Sequence, residues 1–204
     1  MHLVCLDLEG VLTPEIWIAV AEQTGRPELR RTTRDEPDYD RLMRYRLGLL
    51  DQHGITLPAI QEVIGTLRPL DGAREFLDWL RARVPLVILS DTFAQFAAPL
   101  LRQLGEPLLL CHELEVAPGG RITGYRLRQP DQKRRAVEAF RGLNYDIVAA
   151  GDSHNDLSML QAAHAGILFR PTAAFAAAHP EFPVTQDHPA LRAEIEKFLA
   201  APSA

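Results

Sequence analysis

The chain has 204 residues, 47% hydrophobic and 24% charged, with a net charge of −5. That is room for one domain, or a core with a small insert, and enough apolar matter for a full core without staples. The charge makes no case for a nucleic-acid backbone or an anionic membrane surface, and no apolar stretch nears the roughly 20 residues that span a bilayer.

The first element is the apolar run from His2 to Leu6, which ends at Asp7 and opens into Leu8-Glu9-Gly10-Val11-Leu12. A run of this kind predicts a buried strand. A carboxylate at its carboxyl end, beside a glycine, would face the crevice where open sheets bind ligands. Residues 14–69 then break any strand rhythm. Thr13 predicts a helix cap, with Pro14 at the first helical position, Glu15 at the second and Gly25 past the end. A second helix is predicted from about Asp38 to His53, stopping at Gly54, and a third over 58–66. On the second, Tyr39, Leu42, Met43, Arg46, Leu49, Leu50 and His53 form a stripe at helical spacing, with Arg46 inside it.

Beyond Pro69, strands are predicted at 84–89, 146–150 and 165–169, and helices near 71–83, 93–104, 131–143 and 155–163. This alternation predicts an α/β fold, a doubly wound parallel sheet with helices on both faces. Residues 108–116, Gly119-Gly120 and 121–127 read as a hairpin flap. The tail after about Leu199 is expected to fray. Cys5 and Cys111 sit in apolar runs and read as buried thiols rather than a disulfide. With no basic leader before Asp7, the expected compartment is the cytoplasm.

The strand ends carry the chemistry. Asp7 and Glu9 follow the first strand, Ser90 and Asp91 the second, Asp152, Asn155 and Asp156 the third. A parallel sheet brings these ends to one edge. Acids gathered there repel one another unless a cation sits among them, and oxygen ligands suit Mg²⁺. Taken singly, each acid also reads as a helix cap or a loop acid. Asp131 reads as an N-cap, which puts Lys133 in the first turn of its helix. A cation there opposes the helix dipole and points to an anion nearby. A solvated lysine is the bland alternative. Arg134 and Arg135 read as surface residues, and His154 as exposed.

Asp7-Leu8-Glu9-Gly10-Val11, Ser90, Lys133 and Gly151-Asp152-Ser153-His154-Asn155-Asp156 resemble, in order, the four motifs of the haloacid dehalogenase superfamily. The helical insert after the first motif is similar to the cap of its phosphoserine phosphatase branch. Leu6 to Leu12 followed by Pro14-Glu15-Ile16-Trp17 is most like the bacterial members that also transfer the phosphoryl group to homoserine. The resemblance implies a core of residues 1–13 and 70–204 with a cap at 14–69. It implies Asp7 as the nucleophile that becomes an aspartyl phosphate, and Glu9 as the acid and base. It implies Mg²⁺ on Asp7, the Glu9 backbone carbonyl and Asp152, with Asp156 supporting the site from behind. Ser90, the Asp91 N–H and Lys133 would bind phosphoryl oxygens, and Asn155 would orient phosphate or a site acid.

In the cap, the resemblance implies Arg46 for the substrate α-carboxylate and Glu15 for its α-ammonium. A structural ion pair for Arg46 and a dipole-friendly acid at Glu15 are the alternatives. The chain departs from most relatives at Glu9, where they carry the shorter aspartate. The longer arm could favour an alcohol over water as acceptor. A phosphatase for another small phosphate, a mutase and a non-catalytic phospho-amino-acid-binding module stand as rival readings. Oligomeric state is open.

Overall fold

The computed structural model describes residues 1–32, 35–36 and 38–201. Seven strands form one sheet in the order β4-β3-β2-β1-β5-β6-β7. They are β1 (His2–Leu6), β2 (Leu86–Phe93), β3 (Leu109–Val116), β4 (Ile122–Arg126), β5 (Asp146–Gly151), β6 (Ala165–Phe169) and β7 (Val184–Thr185). All neighbours pair in parallel except β3 and β4, which form the predicted hairpin. β1 lies centrally, with Leu6 opposite Ile88 on one side and Ala150 on the other.

Alternate residues of β1 feed opposite faces, as the pleat requires. Val4 and Leu6 pack under α4 (Ala73–Arg81) and α9 (His188–Ala200). Leu3 and Cys5 pack under α6 (Gln132–Gly142) and α7 (Leu157–Ala162). Among the described residues, three α-helices and a 3₁₀ helix at Pro27–Arg30 separate β1 from α4; the α-helices are α1 (Ile16–Thr24), α2 (Tyr39–Gln52) and α3 (Leu57–Thr66). Their apolar faces share a cluster with α5 (Ala94–Gln103) and the hairpin, in which Trp17, Met43, Leu50 and Ile64 meet Phe93, Phe96 and Ile122. Among the described residues no helix is long and apolar enough to cross a membrane.

Several local expectations are corrected. Thr13 does not cap α1. It is buried, and both its hydroxyl and its N–H go to the Leu8 carbonyl, closing the turn after β1. The helix starts at Ile16, so Glu15 is the N-cap residue rather than the second helical one. Strand β2 runs on to Phe93, through Ser90 and Asp91, because pairing with β3 resumes after a bulge. Asp131 stands at the N-cap of α6, but in a left-handed conformation and without capping it; its carboxylate bonds Ser158 and Arg134 instead. Cys111 is half-buried, and both cysteines are free thiols. Past β6, α8 (Ala173–Ala178), β7 and α9 were not anticipated. The end of α9 reaches Ala200, and residues 202–204, in the tail expected to fray, lie outside the described residues.

Candidate active site

The turn from Leu8 to Thr13 sits directly on the end of β1, and Asp7 prolongs the strand by donating its N–H to the Ala150 carbonyl at 3.0 Å. This buries the Asp7 carboxylate between β2 and β5. Gly10, at φ 83°, allows the tight turn, and a Cβ there would lie 2.6 Å from the Asp152 carboxyl carbon. The glycine therefore lets the loop after β1 meet the loop after β5. Gly151 does the same for Asp156, whose Cβ would lie 2.4 Å from an added methyl.

Asp7, Asp152 and Asp156 are all buried and can place one carboxylate oxygen each within 4.8 Å of one another. Burial, then the nearby Asp156 charge, push the Asp7 carboxyl well above the usual range, against the pull of Lys133. Burial and Asp156 push Asp152 up to about 7. Asp156 is well satisfied. It accepts N–H bonds from Asp152 at 3.0 Å and Ser153 at 3.2 Å, and an ammonium bond from Lys133 at 2.6 Å. This all-oxygen donor set with excess negative charge fits a hard divalent cation.

Lys133 is 2% exposed, which removes the solvated reading. Its Nζ is also 2.8 Å from Asp7 Oδ1 and 3.8 Å from Asp91 Oδ2. Burial alone would lower its pKa, but Asp156, Asp7 and Asp91 outweigh burial and hold it well above the ordinary lysine value. Ser90 is buried beside it, its Oγ accepting the Thr92 N–H at 3.3 Å. Asn155 is exposed, bonding Asp91 Oδ2 at 3.4 Å and accepting from the Ser153 hydroxyl at 2.6 Å. His154 is exposed, Arg135 too, and Arg134 is tied to Asp131 and Glu138.

The Glu9 carboxylate lies outside the acidic triad. Its Oε2 accepts the Ile16 N–H at 2.9 Å. Burial first, then the Glu15 charge, push its pKa up to about 7, while Ile16, Thr92 and Arg46 pull it back. Glu9, Glu15, Arg46, Ser90, Asp91, Lys133, Asp152 and Asn155 line one cavity of about 310 Å³ with Asp7 at its floor.

Arg46 is 6% exposed. Its guanidinium stacks 4.4 Å above the Trp17 ring and donates from Nη2 to the Arg31 carbonyl at 2.7 Å. Its Nε has no hydrogen-bond partner, and the described residues give it no ion pair. Burial lowers its pKa to about 10. A buried cation stacked on an aromatic face with an idle donor is poised for an anionic partner.

Some contributors were not foreseen. In the sequence Trp17 has a signal only as part of the segment Pro14-Glu15-Ile16-Trp17. Thr92 holds Glu9, Tyr39 donates from its hydroxyl to the Asp91 carbonyl at 3.1 Å, and Gln132 donates to the Ser90 carbonyl. Tyr39 carries a signal as the first residue of the apolar stripe, whereas Thr92 and Gln132 depend on contacts far apart in sequence.

A buried carboxylate at the end of a central parallel strand, facing a buried lysine and further acids, is an arrangement of the α/β hydrolase class. The chain belongs to the haloacid dehalogenase-like hydrolases, whose family profile matches residues 6–161. It is 57% identical over 203 residues to phosphoserine phosphatase ThrH of Pseudomonas aeruginosa, covering 100% of this chain and 98% of that protein. It is 55% identical to a phosphoserine phosphatase of Pseudomonas syringae pv. tomato, over 97% of this chain and 83% of that one. In fold it is similar to a solved phospho-aspartyl intermediate analogue of phosphoserine phosphatase, with a TM-score of 0.78 at 21% identity, covering 97% and 98% of the two chains.

Proposed function

We propose that this protein is a Mg²⁺-dependent phosphoserine phosphatase working through an aspartyl phosphate on Asp7, and that it also passes the phosphoryl group to homoserine. The observation that carries the substrate reading is Arg46. A buried guanidinium with an unpartnered Nε shares a cavity with Glu15 and with Asp7. Such a pair suits the carboxylate and ammonium of an amino acid whose phosphate lies at the cavity floor. The full-length likeness to phosphoserine phosphatase ThrH points the same way.

In this reading an Asp7 carboxylate oxygen attacks phosphorus in line, forming an acyl phosphate as the P–O bond to serine breaks. The leaving serine oxygen takes its proton from the Glu9 carboxyl. In the second step Glu9 accepts the proton of the incoming water or alcohol as that oxygen attacks phosphorus and Asp7 is released. A group near pKa 7 can serve both directions at neutral pH. Lys133 and Ser90, with the Asp91 N–H, bind the phosphoryl oxygens, and Asn155 steadies the wall beside them. Asp7, the Glu9 carbonyl and Asp152 would hold the ion, with Asp156 fixing Lys133 and the loop after β5. When bound, Mg²⁺ supplies charge neutralisation for the attacking carboxylate and the phosphoryl oxygens. Residues 14–69 act as a cap that brings Arg46 and Glu15 onto the amino-acid end and excludes water. Acting on a free amino-acid phosphate, the enzyme would work in the cytoplasm.

The test is a product assay with phosphoserine, Mg²⁺ and increasing homoserine. Serine release with phosphate, partly replaced by phosphohomoserine as homoserine rises, is the expected result. Free phosphate alone at every homoserine concentration removes the transferase reading, and no serine release removes the phosphatase reading.

A further inference from the structure

The Asp91 side chain has no part in the chemistry above, where only its N–H is used. Its carboxylate nevertheless stands beside the phosphoryl-binding lysine, with Oδ2 3.8 Å from Lys133 Nζ and 3.4 Å from Asn155 Nδ2. Oδ1 lies 3.3 Å from Gln132 Nε2 and 3.6 Å from His112 Nε2. His112 is buried and its Nδ1 accepts the Arg128 N–H at 3.1 Å, which puts the proton of the neutral ring on Nε2, facing Asp91. Burial works against ionisation of Asp91, but Lys133, His112 and Gln132 outweigh burial and hold the carboxyl below the usual carboxylate range.

Asp91 is thus an ionised acid fixed by side chains from β3, α6 and the loop after β5. It also forms part of the wall between the 310 Å³ cavity and a neighbouring one of about 590 Å³ lined by His112, Gln129 and Gln132. Gln132 and Asn155 hold the carboxylate at 3.3 and 3.4 Å, while Lys133 stands farther off at 3.8 Å, so the charge is fixed in place beside the lysine. Among the described residues that line the smaller cavity, Lys133 and Arg46 are the basic ones, and Arg46 is taken up at the amino-acid end.

We propose that Asp91 is a positioning residue that weakens the hold of Lys133 on phosphate. Its negative charge offsets part of the lysine's field, so the site binds a phosphoryl group firmly enough to react and releases inorganic phosphate readily. Tight retention of the product would otherwise be the cost of a buried ammonium aimed at a dianion. His112 serves this arrangement by keeping the Asp91 carboxylate turned toward Lys133. The proposal rests on the phosphatase reading.

The experiment measures inhibition by inorganic phosphate, and phosphate binding by calorimetry, in the Mg²⁺-loaded wild type, D91N and D91E. Removing a unit charge that lies 3.8 Å from the Lys133 ammonium tightens phosphate binding by roughly threefold to a hundredfold, depending on local screening. D91N therefore binds phosphate about tenfold more tightly, and KM and kcat for phosphoserine both fall as product release slows. D91E, which restores the charge, returns the inhibition constant toward wild type. A merely structural role would loosen phosphate binding or leave it alone, and either result in D91N overturns the proposal. If D91N does not fold, D91S must show the same tightening; failure of both to fold means Asp91 is structural and overturns it as well. A wild type that turns over no phosphomonoester removes the phosphatase reading instead, while wild-type turnover with unchanged phosphate inhibition in D91N removes only this one.

Discussion

The Glu9 carboxylate accepts the Ile16 N–H at 2.9 Å, so the acid two residues past Asp7 also caps the first helix of the insert. Glu15, which occupies the N-cap position, makes no capping bond with its side chain. The turn after β1 and the start of α1 are therefore joined by the residue proposed to move the proton. This gives the extra methylene of Glu9 a physical use: it spans from the loop to the helix start.

E9D should lose that bond. Removing an N-terminal capping acceptor costs about 1 kcal/mol, which in a chain of this size lowers the melting temperature by roughly 2–4 °C. The shortened arm, no longer tied to α1, should also change which acceptor wins. At fixed homoserine the ratio of phosphohomoserine to free phosphate should fall. Thermal melts and product ratios in the same preparation check both halves, and an unchanged ratio would separate the cap contact from acceptor choice.

Arg46→Ala should act on one end of the substrate only. KM for phosphoserine is expected to rise by about tenfold to a hundredfold, the scale of a lost charge-assisted pair of about 1.5–3 kcal/mol. An aryl phosphate, lacking the α-carboxylate, should keep its KM within about threefold, a negligible free-energy change on the scale where 1.4 kcal/mol is tenfold. The variant also loses the stacking on Trp17. Equal losses on both substrates would therefore assign Arg46 to packing.

Asp7→Asn should abolish turnover of every phosphomonoester while leaving the fold in place. The amide keeps the shape of the carboxylate but is a poor nucleophile. It also relieves repulsion, because Asp7 sits against Asp152 and Asp156 with its carboxyl pushed up by burial. The metal-free variant should therefore melt no lower than the metal-free wild type. Residual activity within tenfold of wild type would sink the nucleophile assignment.

The parts of this site that could be read in advance lie on buried strands. Asp7, Ser90 and Asp152 stand out because continuous apolar runs stop beside them, and a parallel sheet must bring such ends together. Thr13 misled because a threonine before a proline has the pattern of a helix cap, whereas burial committed its hydroxyl to the Leu8 carbonyl. The alanine-rich stretch at α8 has no period that separates helix from loop. Asp91 was legible as an acid at the sheet edge but the setting of its carboxylate was not, since its partners come from positions 112, 132, 133 and 155 and only the folded chain assembles them.

The metal-free protein should lose stability as pH rises through neutrality. In the unfolded chain an aspartate loses its proton near pH 3.9. In the folded, metal-free chain Asp152 holds its proton up to about 7, and Glu9 does so up to about 7 as well. Between these limits the folded state binds more protons than the unfolded state, so stability declines with increasing pH and the decline is complete above the folded values. The expected loss from pH 5 to pH 8 is on the order of 2 kcal/mol for each of the two groups, or roughly 4–8 °C in melting temperature apiece. Saturating Mg²⁺ should flatten this slope, because the ion takes the deprotonated carboxylates, and its apparent affinity should climb with pH until about 7. Melts in a chelating buffer and in excess Mg²⁺ at four or five pH values decide the matter. A metal-free protein that grows more stable from pH 5 to pH 8 would show that its buried acids are not strained.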